Sequence, residues 1–264
     1  GRITEIDIDD AKDIGGDVQI FTGDDTIGLA VTANAEVPEM QFSQQPLLAE
    51  NKVRFVGEAV AAVLAEDPYR AEDAAELVFV DYDILPVIAD VRTALDEESP
   101  TMFDDWRDNL FVERQMQGGD LDAARKAAAH VVRRTYRTHR QAGVPLECRG
   151  VVAEYDPLDE TLTVWSSTQI PHLLRTYLSE ELGWPETRLR VVAPEVGGGF
   201  GVKGQIFTEE ILVAWLALHT GRPVKWIEDR REHLIASIHA RDHEHTLEAY
   251  LDDKLIGKKT IYNH

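Results

Sequence analysis

The segment VGGGFGVKG holds the residues whose types and spacing point most clearly to chemistry. Five glycines fall within residues 197–204, between an apolar run and a predicted helix. Glycine lets a backbone approach a ligand closely and turn its N–H groups toward it, as anion-binding loops do. The sequence therefore predicts a tight turn over 197–201, with the amides of Phe200 and Gly201 facing a cavity. The alternative is a turn that serves packing alone.

A second interpretation treats the same glycines as a dinucleotide-binding turn. Gly199, Gly201 and Gly204 satisfy the pattern G-x-G-x-x-G. Glu228 follows at the end of the next predicted strand, where such a site places its ribose-binding acid. This pattern indicates an NAD-dependent dehydrogenase using residues 199–204. Phe200 counts against it, because a bulky ring in the turn hinders the close approach of a diphosphate.

Histidines crowd the segment EHLIASIHARDHEH. Imidazole and carboxylate groups bind transition metals, so this segment could hold a metal ion. The alternative is that its arginines form ion pairs with nearby carboxylates and fix the segment against the domain. The residues concerned are His233, His239, Asp242, His243 and His245 for the metal, and Arg230, Arg231 and Arg241 for the ion pairs.

Composition excludes several classes of protein. With 27 Lys and Arg against 48 Asp and Glu, the formal charge of −21 argues against a nucleic-acid-binding surface. No apolar run approaches the roughly 18–20 residues that cross a bilayer, so we expect no membrane span and a cytoplasmic location. The single cysteine, Cys148, excludes an internal disulfide and a four-thiolate cluster built by this chain alone. We expect Cys148 to be a buried small apolar residue.

Alternating strands and helices must position these groups. Residues 69–78 place three alanines and Val78 at helical spacing. The acidic segment 96–109 holds a proline and has no sustained period, which is typical of an exposed linker at a domain boundary. The strands predicted before it cover residues 18–23, 52–56, 59–65 and 79–85.

The second part of the chain repeats the alternation. Residues 150–156 and 161–166 predict a hairpin, and Gln169 follows its second strand. The helix from Thr208 carries a predicted buried stripe of Ile211, Leu212, Trp215 and Leu218. The other predicted elements are helices over 121–129 and 172–182, strands over 131–139, 188–196 and 224–229, and a closing hairpin around Asp252, Asp253 and Gly257.

Longer segments carry a resemblance to a known family. They are VPLECRGVVAEYD, LTVWSSTQIPHLLRTYLSEELGWPETRLRVVAPEVGGGFGVKG and GRPVKWIEDRREHLIASIHARDH. In this order and spacing they resemble the molybdenum-binding large subunit of the xanthine dehydrogenase/aldehyde oxidase/carbon monoxide dehydrogenase family. The upstream segment PLLAENKVRFVGEAVAAVLAEDPYRAEDAAELVFVDYDILP is similar to that family's α/β-hammerhead domain. The resemblance implies an α+β fold, with a hammerhead domain in 1–97, a linker in 98–119 and a partial mixed α/β molybdopterin-binding domain in 120–264.

The resemblance also implies a cofactor and its binding residues. The cofactor is molybdenum–molybdopterin, as the cytosine dinucleotide of prokaryotic enzymes, and the reaction is a hydroxylation with oxygen from water. The family's GGGFG loop approaches metal and pterin, which assigns that role to Gly198, Gly199, Phe200 and Gly201. Gln169 occupies the position of the family glutamine that hydrogen-bonds an oxygen ligand of the metal. Amide donors can hold oxo and phosphate groups without competing for the metal, so no protein metal ligand is expected.

The family's large subunit is considerably longer than 264 residues. The resemblance therefore implies that this sequence covers part of such a subunit and that the catalytic base lies outside it, so no catalytic residue is assigned. The implied partners are an iron–sulfur small subunit with 2Fe–2S clusters, an FAD-binding medium subunit and the remainder of the large subunit, assembled as a dimer of heterotrimers.

Substrate and activity stay open at this level. Aldehydes, N-heterocycles and carbon monoxide are distinguished by residues that this sequence lacks. We expect no hydroxylase activity from the chain by itself, since it has no assigned base and its one cysteine cannot hold a cluster. Besides the NAD-dependent dehydrogenase, a non-catalytic assembly or scaffold protein of the same fold is the alternative.

Overall fold

The computed structural model describes residues 1–32, 40–253 and 257–258. The first part of the chain consists of two helices and of short strands that form two-stranded pairs. Strands β1 and β6, β2 and β5, and β3 and β4 form the antiparallel pairs. The elements are β1 (Arg2–Asp7), α1 (Asp9–Asp13), β2 (Gln19–Thr22), β3 (Ala30–Thr32), β4 (Gln44–Pro46), β5 (Ala61–Leu64), α2 (Pro68–Ala75) and β6 (Phe79–Asp83).

Local signals account for most of these elements. Helix α2 begins where expected. The Asp67 side chain accepts the N–H of Arg70, and Pro68 suits the first helical position because the N–H that proline lacks would have no intrahelical acceptor there. The strand predicted over 52–56 is wrong. The Arg54 N–H bonds to the Glu58 carboxylate and Gly57 takes a φ of 104°, so this apolar run folds into a turn instead.

Residues 98–119 contain no helix or strand. Two of their aromatic rings, Phe103 and Trp106, stack with centroids 4.5 Å apart. The Trp106 Nε1–H donates to the Phe42 carbonyl at 2.7 Å, so the segment packs against the preceding part of the chain. The division of the chain into 1–97, 98–119 and 120–264 stays a prediction.

The second part contains a four-stranded sheet with two long helices. In the sheet the order is β11-β10-β9-β12, with β10 and β11 parallel and the other neighbours antiparallel. The elements are α3 (Leu121–Ala127), β7 (His130–Thr138), β8 (Gln141–Ala142), β9 (Gly150–Asp156), β10 (Thr161–Ser166), α4 (Pro171–Leu182), β11 (Leu189–Val192), α5 (Thr208–Thr220), β12 (Val224–Ile227), α6 (Arg230–Ala236), β13 (His239–Ala240), β14 (His243–Leu251) and β15 (Gly257–Lys258).

Helices α4 and α5 begin and end close to the predicted residues. Both end on a glycine in the left-handed conformation, Gly183 with φ 61° and Gly221 with φ 65°. The predicted stripe on α5 is too narrow, because every residue from Glu210 to Leu216 except Trp215 is buried. Alpha-helix α5 therefore lies in the centre of the core, against β9, β10 and β12, rather than on its surface.

The predicted hairpin of β9 and β10 is confirmed, with Val151 opposite Ser166 and Asp156 opposite Thr161. The strand predicted over 188–196 is shorter, because β11 ends at Val192. The closing hairpin pairs β14 with β15, while residues 254–256 of its turn lie outside the described residues. Among the described helices, none has the length and apolar character needed to span a membrane.

Candidate functional site

The sheet topology gathers four polar segments at one edge of the sheet, namely the edge where its strands begin or end. The amino end of β9 lies opposite the carboxyl ends of β10 and β12, since Gly150 pairs with Ile227 and Val151 with Ser166. Because β11 runs parallel to β10, its carboxyl end lies at the same edge. Residues just outside this edge therefore come together, although they are far apart in sequence. They are 147–149 before β9, 167–169 after β10, 193–207 after β11 and 228–229 after β12.

The glycine loop, residues 197–204, contains the predicted turn. None of residues 197–201 lies in a helix or strand, and Phe200 and Gly201 have φ values of 51° and 86°. The predicted orientation of one amide is wrong, because the Gly201 N–H donates to Gln169 Oε1 at 3.0 Å instead of facing a cavity. The Gln169 side-chain oxygen therefore already satisfies the Gly201 N–H.

Gln169 and the glycine loop lie in direct contact. A Cβ on Gly199 would stand only 2.4 Å from Gln169 Oε1, so glycine is required for this approach. Since Oε1 accepts from Gly201, the Gln169 amino group points away from that bond, and it has no partner among the described residues. The Phe200 side chain is 77% exposed beside it. An amide donor, a glycine backbone and an exposed ring therefore share one surface.

A second pair of side chains holds the loop from beneath. Glu147 Oε2 accepts the Gly197 N–H at 2.8 Å and Lys203 Nζ at 2.5 Å. The Lys203 side chain is fully buried, whereas Glu147 is partly exposed. Burial raises the pKa of Glu147, but the hydrogen bonds from Lys203 and Gly197 outweigh it and keep this pKa below its usual range.

A buried group of hydrogen-bonded polar side chains lies next to this pair, and we call it the Arg149 network. It consists of Arg149, Glu209, Glu228 and His233. Arg149 bonds through both terminal nitrogens to Glu209 at 2.9–3.0 Å, and through Nε, one terminal nitrogen and its backbone N–H to Glu228 at 2.8–2.9 Å. Its guanidinium also stacks 3.8 Å above the Phe207 ring. Burial raises the pKa of Glu228, but the hydrogen bonds and charge of Arg149 lower it by more. The pKa therefore lies below its usual value, and this carboxyl stays ionised.

This network overturns the dinucleotide interpretation. Glu228 has no exposed side-chain surface, and its four acceptor positions are taken by Arg149 and by His233 Nδ1 at 2.8 Å. It therefore has no oxygen left for a ribose hydroxyl. The sheet is also mixed rather than parallel, and β11 and β12 are its two outermost strands. Both features are incompatible with a Rossmann site at residues 199–204.

The predicted histidine cluster does not assemble. His233 is buried beside Glu228, His239 accepts from Arg140, and His243 stacks on His245 along β14. Arg140 also donates its backbone N–H to Asp242. The alternative with ion pairs is not borne out for Arg230, which donates to the carbonyls of Pro145 and Leu146 instead.

Cys148 is half-buried, so the expectation of a buried apolar residue holds only in part. Its sulfur lies within 4.8 Å of ligand atoms of Glu228 and His233, the one such group among the described residues that could hold a metal. Because the Glu228 carboxylate is already saturated by Arg149 and His233, we interpret this group as structural.

Glu210 is the other buried carboxyl near the site. It accepts from the Ser166 hydroxyl at 2.6 Å and from the Phe207 N–H at 3.0 Å. Burial raises the pKa of Glu210 to about 7, against the lowering effect of these two hydrogen bonds. The side chain therefore holds a proton close to neutral pH, in the first turn of α5.

A cavity of about 670 Å³ lies elsewhere. It is lined by Arg54, Glu58 and Phe103 from the first part of the chain, and by Phe207 and Glu209 from the second. Neither Gln169 nor the glycine loop contributes to it, and the Gln169 and Phe200 side chains are exposed.

Sequence reasoning missed Glu147, Lys203, Arg149 and Glu209 as parts of the site. One signal was available, because ionisable residues stand directly before the apolar strand β9 and inside the glycine loop. Such residues are buried only when they are paired. Their partners were not readable, since ion pairs between distant segments leave no periodic pattern.

Two family models match the chain. The family model described as molybdopterin cofactor-binding domain matches residues 102–256. The one described as aldehyde oxidase and xanthine dehydrogenase, a/b hammerhead domain, matches residues 1–86.

Individual relatives match nearly the whole chain. It is 38% identical to the 6-hydroxypseudooxynicotine dehydrogenase complex subunit gamma of Paenarthrobacter nicotinovorans, covering 100% of this chain and 34% of the relative. The carbon monoxide dehydrogenase large chain of Afipia carboxidovorans is 35% identical over 98% of this chain and 33% of its own. Quinoline 2-oxidoreductase from Pseudomonas putida 86 superposes with a TM-score of 0.87 at 36% identity, covering 95% of this chain and 32% of that one. The chain thus spans about a third of the length of the curated relatives it matches.

Proposed function

Because the chain belongs to the xanthine dehydrogenase/aldehyde oxidase family of molybdenum hydroxylases, we propose that it forms part of a molybdopterin-binding large subunit. In this proposal the whole subunit oxidises an aldehyde, an N-heterocycle or carbon monoxide, with water as the oxygen source. In this proposal residues 1–97 belong to the hammerhead domain, 98–119 form the linker and 120–264 belong to the first cofactor-binding domain.

The observation that carries the proposal is the contact between Gln169 and the glycine loop. The Gly201 N–H fixes the Gln169 amide oxygen at 3.0 Å, which leaves the amino group to donate to an oxygen ligand of a bound metal. When bound, molybdenum–molybdopterin would supply the two-electron chemistry of hydroxylation. The protein orients that group with neutral donors that do not compete with its own sulfur ligands.

The remaining cofactor contacts are assigned to the loop. Gly198, Gly199, Phe200 and Gly201 form a surface on which a Cβ at Gly199 would collide with Gln169, so the backbone stays accessible to a large ligand. The exposed Phe200 ring would lie against the cofactor and exclude water from one side. We propose the cytosine dinucleotide form of the cofactor, from the similarity to the bacterial proteins.

The electron carriers belong to other chains in this proposal. Cys148 is the only cysteine and cannot hold an iron–sulfur cluster. We therefore propose an iron–sulfur small subunit with 2Fe–2S clusters, an FAD-binding medium subunit and the rest of the large subunit as partners, in a dimer of heterotrimers in the cytoplasm. The name of the relative from Paenarthrobacter nicotinovorans, a subunit of a dehydrogenase complex, supports partner chains.

An aromatic N-heterocycle is the substrate class that we favour. The solved structure with a TM-score of 0.87 acts on quinoline according to its name, which is such a ring. Carbon monoxide is the second candidate, from the relative of Afipia carboxidovorans. The exposed Phe200 ring can stack with a flat heterocycle, whereas carbon monoxide offers nothing to stack.

The test is the purified complex that contains this chain. Metal analysis and mass spectrometry should find molybdenum and pterin, and quinoline or nicotine should be hydroxylated with ¹⁸O from labelled water. The variant Gln169→Ala should lower kcat by roughly 10²-fold, within the range seen for a lost oxyanion donor, while the control Gln117→Ala, at an exposed residue outside any helix or strand, should not. Bound NAD without molybdenum would support the dehydrogenase alternative, and a stable complex lacking any cofactor would support the scaffold.

A further inference from the structure

Lys203 is tied to two different parts of the site at once. Its ammonium group bonds to Glu147 Oε2 at 2.5 Å, and its backbone carbonyl accepts the Gln169 N–H at 2.8 Å. The Thr168 hydroxyl also reaches that carbonyl, at 3.5 Å. Side chain and backbone of one residue therefore connect the segment before β9 with the segment after β10.

The contacts close into a ring. Glu147 binds the Gly197 N–H at 2.8 Å, and its own N–H donates to the Gly197 carbonyl at 3.3 Å. Gln169 binds the Gly201 N–H at 3.0 Å and the Lys203 carbonyl through its backbone. Both ends of the turn 197–201 are thus held by the same small set of side chains.

Steric fit supports the same function for Glu147. A Cβ at Gly197 would lie 2.7 Å from the Glu147 Cβ, and one at Gly199 would lie 2.4 Å from Gln169 Oε1. Two of the loop glycines are therefore required by the residues that hold the loop. A glycine sequence needed only for ligand access would leave these contacts open.

Electrostatics make the pair specific. The Lys203 side chain has no exposed surface, and Glu147 is the one carboxylate that it contacts among the described residues. A buried ammonium group without a carboxylate partner is strongly destabilising, and a charge-assisted hydrogen bond is about twice as strong as a neutral one. The position of Lys203, and with it the carbonyl that holds Gln169, therefore depends on Glu147.

We propose that Glu147 and Lys203 are positioning residues that hold Gln169 and the turn 197–201 in the geometry that faces the cofactor. Neither residue touches the cofactor in this proposal. It rests on the proposed function, because it concerns the same surface. It adds that the orientation of the Gln169 amide is determined by an ion pair on the opposite side of the loop.

The first test is hydrogen exchange at the Phe200 and Gly201 amides in the purified complex, which does not depend on turnover. We expect Glu147→Gln and Lys203→Met each to speed exchange at these amides by roughly ten- to a hundredfold, the effect of losing a charged hydrogen bond. The matched controls Glu154→Gln and Lys225→Met change exposed residues outside the site and should leave the exchange as in the wild type.

The double variant Glu147→Gln/Lys203→Met separates positioning from general stability. It leaves no unpaired buried charge, so we expect its melting temperature to return toward that of the wild type. We expect fast exchange at Phe200 and Gly201 to persist, together with a kcat reduced about tenfold at unchanged KM and an altered Mo(V) electron paramagnetic resonance signal.

Two results would overturn the inference. One is wild-type exchange at Phe200 and Gly201 in both single variants, and the other is a double variant that recovers exchange, kcat and the Mo(V) signal along with its stability. Absence of molybdenum from the wild-type complex is a different outcome. It would contradict the proposed function, while the exchange data would still decide whether Glu147 and Lys203 hold the loop.

Discussion

The Arg149 network and the glycine loop are neighbouring regions of the molecule, and residues 147–149 contribute side chains to both. The two regions differ in how completely their polar groups are paired. Arg149 enters a network in which Glu228 uses all four acceptor positions and the guanidinium is held by two carboxylates and a ring. Glu147 reaches the glycine loop, where the Gln169 amino group has no partner among the described residues. Paired charges hold the first region together, whereas the exposed Gln169 amino group is free to donate to a ligand in the proposed function.

The difference has a physical cause. Buried charges are tolerated when they are paired, so the two Glu228 oxygens have no capacity left for a ligand, while His233 Nε2 is the one buried atom of the Arg149 network without a partner among the described residues. The glycine loop has no side chains to fill its surface except Phe200, Val202 and Lys203, and its outward side stays open. Substitutions in the two regions should therefore differ in effect, most strongly where a buried charge loses its partner.

Removing Arg149 should have the largest effect. In Arg149→Met, Glu228 and Glu209 lose their common partner inside the core, and we expect the free energy of unfolding to fall by about 3–5 kcal/mol. Chemical denaturation measures it. The control Arg190→Met removes an exposed arginine on β11 and should change stability by less than about 0.5 kcal/mol. Equal losses for the two variants would mean that the network is not a scaffold.

Glu210 should make stability depend on pH. Its pKa is raised to about 7 in the folded state, so the folded chain binds the proton more tightly than the unfolded chain. Stability therefore falls as pH rises from about 4.5 to about 7, by about 3 kcal/mol in total. Glu210→Gln should remove this slope, being more stable than the wild type at pH 8 and equal to it near pH 4.5. Parallel pH curves for variant and wild type would contradict the assignment.

Adding one methyl group to the glycine loop should have a smaller effect on stability. In Gly199→Ala the new Cβ would stand 2.4 Å from Gln169 Oε1, so the loop or the amide must move. We expect a loss of about 1–3 kcal/mol, as for other overpacked sites, and loss of cofactor from the complex. Gly118→Ala is the control, because its Cβ would meet nothing within 4 Å. Retention of the cofactor by Gly199→Ala would separate the loop from the cofactor site.

An exposed ion pair should have the smallest effect. Strands β7 and β14 pair as an antiparallel ribbon, in which Arg137 and Glu244 lie opposite each other, 2.7 Å apart, with both side chains partly in solvent. In Arg137→Gln we expect at most about a fifth of the loss caused by Arg149→Met, and no difference in 1 M salt. Thermal unfolding at two salt concentrations checks it. A salt-independent loss would show that the ribbon, too, depends on specific charge pairing.

Local features of the fold could be predicted because they depend on neighbouring residues. Asp67 and Asp120 start helices by accepting N–H groups three residues later, and Gly183 and Gly221 end helices because they adopt positive φ without strain. The hairpin of β9 and β10 follows in the same way from alternation and a short turn. The wrong strand over 52–56 shows the limit, since a local pattern was overruled by Glu58 and Gly57.

Residue types at short spacing were enough to locate the glycine loop, the turn within it and, through the family resemblance, Gln169. The pairing of Glu147 with Lys203, 56 positions away, and of Arg149 with Glu228, 79 positions away, became visible only in the folded chain. A charge carries no sign of its partner in the chain. Its partner is selected when the sheet brings distant segments to one edge, because burial there leaves no stable arrangement with unpaired charges.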